Sequence, residues 1–220
     1  MFRRFVVTPL LFSLTSAAHG SLLENGSFEL LAPGLPLPDG AWSVYDSLPG
    51  WDVDRVEVQR GTIIRPFDGL NYIELDTDGP NSHGSIEQSF ATELGGSYRF
   101  SFAFASRPEL ASASNAIEVN WGDRLAPAST LLVGLSQSNI GLASGRWQVF
   151  EYFFTATATS SFVRFAAAGR ADTLGGLLDG VVVDRLLRAD GMPSVPVPPA
   201  VWLLGSALVA LTGLARRPTA

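Results

Sequence analysis

Three features of the chain predict an all-β fold, an antiparallel β-sandwich. The segment Tyr98-Arg-Phe-Ser-Phe-Ala-Phe104 alternates strictly, with Tyr98, Phe100, Phe102 and Phe104 on one side and Arg99, Ser101 and Ala103 on the other. Period two over such a run is the signature of a half-buried strand. Turn signals recur between apolar runs, at Asp78-Gly-Pro-Asn81, Gly95-Gly96, Gly145 and Gly175-Gly176. Between residues 21 and 190 no convincing amphipathic helix pattern occurs. Many short strands separated by regular turns pack as a sandwich or barrel.

The remaining strands follow in order. Asn71-Tyr-Ile-Glu-Leu75, Ser85-Ile-Glu-Gln-Ser-Phe90 and Ala116-Ile-Glu-Val-Asn-Trp121 show the same kind of alternation. Arg146-Trp-Gln-Val-Phe-Glu-Tyr-Phe-Phe154 is apolar on both faces and is expected to be a central strand. Ser161 to Ala166 and Leu177 to Val183 complete the set. Leu30 to Gly40 holds too many prolines for a central strand and is expected to be a loop.

The two ends of the chain differ from this middle. Arg3 and Arg4 precede an apolar run, Phe5 to Leu14, and then small residues, Ser16-Ala17-Ala18-His19-Gly20. That is a secretory signal pattern, for signal peptidase, over residues 1–20. The sandwich domain is expected over 21–188, and a Pro-rich linker over 189–199. An apolar helix with an Arg-containing tail is expected over 200–220. Val195-Pro-Val-Pro-Pro-Ala-Val-Trp-Leu-Leu-Gly-Ser206 runs into an uncharged stretch that ends at Arg216 and Arg217. This resembles the PEP-CTERM sorting signal of Gram-negative bacteria, on Val195, Pro196, Pro198, Pro199, Arg216 and Arg217. Val197 stands where a glutamate is usual. The resemblance implies export, a transient anchor in the inner membrane, cleavage by an exosortase, and delivery to the cell envelope or extracellular matrix. The terminal arginines would stay on the cytoplasmic side.

Composition narrows the function. The chain has no cysteine, which excludes disulfides and thiol chemistry. It has 15 basic residues, all arginine, against 21 acidic ones. Setting aside Arg3, Arg4, Arg216 and Arg217 leaves 11 against 21, a formal charge of −10. So acidic a domain argues against nucleic acid as a partner, which needs a basic stripe. It suits divalent cations and neutral sugars.

A set of short motifs adds a second resemblance. Asn25-Gly-Ser-Phe-Glu29 opens the domain, followed by Leu48-Pro-Gly-Trp51 and Gly69-Leu-Asn-Tyr-Ile-Glu-Leu-Asp76. Ile86-Glu-Gln88, Gly96-Ser-Tyr98, Trp147 and Leu178-Asp-Gly-Val-Val182 come later. Their order is similar to that of galactose-binding-like jelly rolls, in particular bacterial and plant cell-wall carbohydrate-binding modules. In those, Asn-Gly-x-Phe-Glu begins the first strand and Leu-Asp-Asp-Val the last. Gly180 departs from that pattern. The resemblance implies neighbouring first and last strands and a structural Ca²⁺ held near Glu29 and Asp179. It also implies buried positions for Trp51 and Trp147. The alternative for Glu29 and Asp179 is two solvated acids at strand ends.

Other candidates come from residue type. Trp42, Tyr45 and Trp121 sit at loop or strand ends and are candidates to stack on sugar rings, the alternative being burial under loops. Glu74, Asp76 and Asp78 recur at alternate positions and would share a strand face, as a cation site, part of a glycosidase pair or a solvated edge. His83, in the loop Gly79 to Gly84, is expected to be a surface histidine. No Gly-x-Ser-x-Gly elbow is present. The function expected is non-catalytic binding of an envelope or matrix polysaccharide. The alternatives are a glycoside hydrolase using acids such as Glu74 and Glu118, or a structural, adhesive biofilm matrix protein.

Overall fold

The computed structural model describes residues 20–31, 36–79, 82–108, 113–123, 130–135 and 146–186. The signal segment, the sorting motif and the apolar tail lie outside the described residues. Among the described residues eleven strands run in chain order: β1 (Trp42–Tyr45), β2 (Asp52–Asp54), β3 (Val56–Gln59), β4 (Tyr72–Glu74), β5 (Ser85–Ala91), β6 (Ser97–Ala105), β7 (Ile117–Asp123), β8 (Thr130–Leu135), β9 (Gln148–Thr155), β10 (Ser160–Ala167) and β11 (Leu177–Leu186). They form a six-stranded sheet, β1-β3-β4-β11-β6-β9, and a five-stranded sheet, β2-β5-β10-β7-β8. The pairings are antiparallel. The sequence-based fold class, an all-β sandwich, is the observed one.

The alternation at 98–104 sets the core. Phe100, Phe102 and Phe104 are fully buried on the inward side of β6. Phe102 stacks on Phe150 of neighbouring β9 at 5.5 Å and meets Phe165 of β10, in the opposite sheet, edge-on at 5.1 Å. Phe100 reaches Phe165 at 5.9 Å and Trp121 of β7 at 6.2 Å. Ile86, Ile117, Val119 and Val163 supply the aliphatic counterpart from the five-stranded sheet. Offset and edge-on ring pairs add about 0.5–1.5 kcal/mol each beyond area burial.

Two expectations are corrected here. The segment apolar on both faces, β9, is an edge strand of the six-stranded sheet, paired among the described residues with β6 alone. Its inward rings, Phe150, Tyr152 and Phe154, join the core, while Val149 and Phe153 are exposed. Apolar letters on its outer face reflect surface, not a second covered side. The motif expected to begin the first strand, Asn25 to Glu29, is instead a turn, with Phe28 N–H donating to the Asn25 carbonyl at 3.2 Å. It still lies beside the last strand, because Val181 N–H donates to the Gly26 carbonyl and Leu22 N–H to the Val183 carbonyl. Asn25, at φ 53°, holds the turn by accepting from Leu30 N–H and donating to the Leu30 and Pro49 carbonyls.

Gly180 has a local reason. The register of β11 against β6 shifts between Asp179 and Val182, and Gly180 sits there at φ 57°. A Cβ at this position would meet the Phe67 ring at 2.8 Å. The bulge therefore takes glycine where a second aspartate would be strained.

Phe102→Ala should cost about 3–5 kcal/mol as a large-to-small core change. Ser101→Ala, on the outward side, should stay within about 0.5 kcal/mol. Chemical denaturation of both variants measures this, and equal losses would mean that β6 faces otherwise than described.

Candidate functional site

The outward side of the six-stranded sheet carries a buried polar cluster. β3 turns Val56 and Val58 inward, so Glu57 and Gln59 point outward, and pairing places Glu57 opposite Glu74 and Gln59 opposite Tyr72. Such positions ordinarily meet water. Here the segment after β3 folds back over them. Tyr72 Oη accepts from Ile63 N–H at 3.0 Å and Ile64 N–H at 3.1 Å. Ile64, Tyr72, Ala105 and Leu177 then form a second apolar cluster, with Ile63 and Trp147 packed on it. Trp147 is half-buried, not the core residue expected; its Nε1 donates to the Arg65 carbonyl at 2.8 Å.

Beneath this roof several donors converge on two carboxylates. Gln59 Nε2 donates to Glu57 Oε2 at 2.8 Å and to Glu74 Oε2 at 3.1 Å. Arg107 Nη1 lies 2.8 Å from both oxygens of Glu74, and Gly175 N–H donates to Glu74 Oε1 at 2.6 Å. Glu57 Oε1 accepts from Asp78 N–H. Burial pushes Glu74 up to about 7 although Arg107 and Gly175 pull it down. Burial likewise raises Glu57 above its ordinary value, against the Asp78 N–H and Arg107. Asp76 is buried too; its Oδ2 accepts from Asp172 N–H at 3.1 Å, and its Oδ1 has no hydrogen-bond partner. Of the three acids expected on one strand face, Glu74 and Asp76 are thus buried and only Asp78 is exposed. His83 is exposed, as expected.

The carboxylate pair named for a hydrolase does not form. Glu74 faces outward from the six-stranded sheet and is 0 % exposed, whereas Glu118 is exposed on the outward side of the five-stranded sheet. Stacked sheets lie about 10 Å apart, and the aromatic core fills the space between these two. Glu57, not Glu118, stands beside Glu74, and both are committed to internal donors.

The three aromatic candidates separate. Trp42 is 47 % exposed on edge strand β1, opposite Gln59. The Arg60–Asp39 ion pair, at 2.7 Å, lies beside it, since Arg60 N–H donates to the Ala41 carbonyl. Tyr45 pairs with Val56 on the inward side and packs against the core. Trp121 is 5 % exposed and stacks on Phe154 at 4.5 Å and 12°. Tyr45 and Trp121 are corrected to core positions, because odd and even residues of a strand take opposite faces. Trp51 is buried as expected, against Phe28 at 5.8 Å, with Nε1 donating to the Asn25 carbonyl.

Glu29 and Asp179 do converge, on one loop. Asp179 Oδ2 accepts from Phe67 N–H at 2.9 Å and Asp68 N–H at 3.0 Å, and Oδ1 from Gly180 N–H at 2.6 Å. Glu29 Oε1 accepts from Leu70 N–H at 2.8 Å and Asn71 N–H at 2.9 Å. A Ca²⁺ takes six to eight oxygens, and oxygens aimed at N–H groups do not offer it their lone pairs. The donor set as it stands does not fit the cation. Among the described residues no group of three or more histidine, aspartate or glutamate side chains is placed to hold a metal. The two acids clamp the segment Phe67 to Asn71 instead. Burial pushes Asp179 up to about 7 against its three N–H donors.

No protein-family model matches the chain, and no curated protein matches it. Among solved structures it is similar to the enzymatically active domain of bacteriophage CBA120 tailspike protein 4, at 11 % identity and TM-score 0.48, covering 76 % of this chain and 21 % of that one. It is also similar to TmCBM61 in complex with β-1,4-galactotriose, at 15 % identity and TM-score 0.46, covering 76 % and 100 %. A third is the CBM22-1 xylan-binding domain from Paenibacillus barcinonensis Xyn10C, at 12 % identity and TM-score 0.42, covering 77 % and 97 %. This chain thus spans about a fifth of the tailspike domain and nearly all of the two modules. With TM-scores below one half, these likenesses decide nothing about ligands.

Two predictions follow from the buried acids. A carboxyl whose folded pKa exceeds its unfolded value stabilises the fold fully below the unfolded value, and loses that contribution as pH rises through the folded one. Glu74 and Asp179 stand near 7 against 4.5 and 3.8. The melting temperature should therefore fall between about pH 4 and pH 7, each group contributing on the order of 3–4 kcal/mol. Glu74→Gln should flatten that fall, and thermal melts across this range showing the same slope in variant and parent would remove Glu74 as its source. Asp179→Ala leaves three backbone donors bare and should cost about 1–3 kcal/mol. The loss should be the same in EDTA and in Ca²⁺; a parent melt lowered by EDTA would restore the cation to this place.

Proposed function

We propose that this chain is a non-catalytic binding protein for a polysaccharide, exported and associated with the envelope or matrix. The observation that carries the reading is Trp42. A large, flat indole stands exposed at the rim of a sheet whose neighbouring outward positions are roofed, beside the Arg60–Asp39 ion pair. An aromatic face with polar groups at its edge suits a sugar ring, which presents C–H bonds on its faces and hydroxyls around its rim. The buried state of Glu57 and Glu74 also supports binding over hydrolysis, because neither acid is positioned to reach a glycosidic bond. Export and sorting rest on the terminal segments, and exosortase and signal peptidase are partners in processing only.

Trp42→Ala should weaken glycan binding about fivefold, as loss of a stacking contact of about 1 kcal/mol. Salt should change the affinity little, since the contacts are not ionic. A glycan array, run beside a reducing-end release assay, tests both parts. Binding without release is expected. Release abolished by Glu74→Gln would establish the hydrolase instead, and no ligand across a broad panel would leave an adhesive matrix protein.

A further inference from the structure

The segment that roofs Glu57 and Glu74 continues into a short stretch, Phe67 to Asn71, that two carboxylates hold by its backbone. Asp179 takes the N–H groups of Phe67 and Asp68, and Glu29 takes those of Leu70 and Asn71. A single exposed apolar side chain is ordinary on a protein surface. Phe67 differs, because its ring is fixed as well as its backbone. A Cβ on Gly180 would lie 2.8 Å from Cδ1 and 3.0 Å from Cε1 of the ring. That part of the ring therefore sits on the bulge of β11, where a side chain would displace it. Trp147 packs edge to face with Phe67 at 6.3 Å, and Tyr72 packs edge to face with Trp147 at 5.6 Å.

Phe67 is nevertheless 48 % exposed, as much as Trp42 at 47 %. The surface of a phenylalanine is mostly ring, so an opening of that size leaves ring carbons facing solvent. The seat lies across the same sheet from Trp42. Trp42 stands opposite Gln59, Gln59 opposite Tyr72, and the next residue, Ile73, opposite Leu178 of β11. Gly180 is two residues further on. The sheet order β1-β3-β4-β11 sets three strand spacings, about 14 Å, between the strand of Trp42 and the seat of Phe67. Each ring also has the same kind of neighbours. Arg60 and Asp39 lie beside Trp42, and exposed Arg65 and Asp68 flank Phe67 in sequence. These two guanidinium groups and two carboxylates balance in charge.

We propose that Phe67 is a second stacking platform of the Trp42 site, and that the two rings together take an internal stretch of a neutral polysaccharide, laid across the strands over the roof. This rests on the polysaccharide reading given above and adds to it the length and mode of the ligand. Each ring takes the C–H side of one sugar. The flanking guanidinium groups donate to sugar hydroxyls, and the carboxylates accept from them. Two weak contacts on one chain reinforce each other, because the second forms within a complex already made. A disaccharide reaches one ring, and a chain long enough to bridge them reaches both. Glu29, Asp179 and Gly180 are positioning residues here, since they fix the backbone and the seat of Phe67.

A ring on a bulge glycine also shields that backbone. Phe67→Leu separates the two roles, because leucine still covers Gly180 but has no aromatic face. Isothermal titration calorimetry of the full chain with β-1,4-linked galacto-, xylo- and gluco-oligosaccharides, from disaccharide to hexasaccharide, reads the dependence on length. Variants are Phe67→Leu, Phe67→Ala, Phe67→Tyr and Trp42→Ala, each with a melting temperature. The affinity of the parent is expected to rise about five- to tenfold from the shortest to the longest ligand. Phe67→Leu should keep the melting temperature and lose that rise, as should Trp42→Ala, while Phe67→Tyr keeps both. A rise kept in Phe67→Leu and Phe67→Ala but lost in Trp42→Ala overturns the second platform and leaves the Trp42 site standing. Equal parent affinity at every length overturns the bridging mode. A parent that binds none of the oligosaccharides overturns the saccharide reading and this platform with it.

Discussion

Phe102 touches both sheets, and the position of every outward residue depends on that contact. Its ring stacks along its own sheet on Phe150 and crosses the sandwich to Phe165. Phe100 and Trp121 extend the same layer. With no cysteine in the chain, no disulfide ties the sheets together. Sheet spacing and rotation are set by how these rings fit, since interiors pack as densely as organic crystals. Once that fit is made, alternation assigns the other face of each strand. Trp42 is placed outward by the same layer that places Tyr45 and Phe165 inward.

The second constraint acts at the β3–β4 end. Two adjacent outward acids are costly to bury, and burial is offset only because donors arrive from distant parts of the chain. Arg107 comes from 33 positions away and Gly175 from 101. Gln59 bridges the pair within the sheet. Three connections are thereby fixed over one sheet face by charge-assisted bonds. The clamp of Glu29 and Asp179 does the same for the Phe67 to Asn71 segment. Acidic residues thus shape the loops of this domain from inside.

The sequence disclosed β6 plainly because its inward residues are all aromatic and its outward ones small or polar. β5, β7, β10 and β11 were legible for similar reasons. β9 was misplaced because an edge strand with exposed Val149 and Phe153 carries the same letters as a covered one; apolarity does not name a partner. β1, β2 and β3 are three or four residues long, and Arg55, at φ 53°, breaks the run between β2 and β3. No window-based pattern survives that interruption. Glu57 was missed with its strand, although its alternation with Val56 and Val58 was the signal for it. Trp121 was visible as an aromatic at a strand end, but facing depends on register. Its partner Val163 points into the core, which settles the side. Phe67 and Gly180 are far apart in the chain, and only the fold seats one on the other.

The last described strand also decides how the domain responds to load. Among the described residues β11 is the longest strand, and it lies inside its sheet, bonded to β4 on one side and β6 on the other. Its final residue, Leu186, leads directly into the remainder of the chain. Tension transmitted through that remainder enters the domain along the axis of an interior strand. Bonds across such a strand lie perpendicular to the pull and are loaded together, in shear, instead of opening one after another from an end. Leu22 N–H, bonded to the Val183 carbonyl, ties the incoming chain to the same strand. Force entering at Leu186 is therefore carried first by the β11–β6 ladder, with β4 paired further back at Leu177 and Leu178.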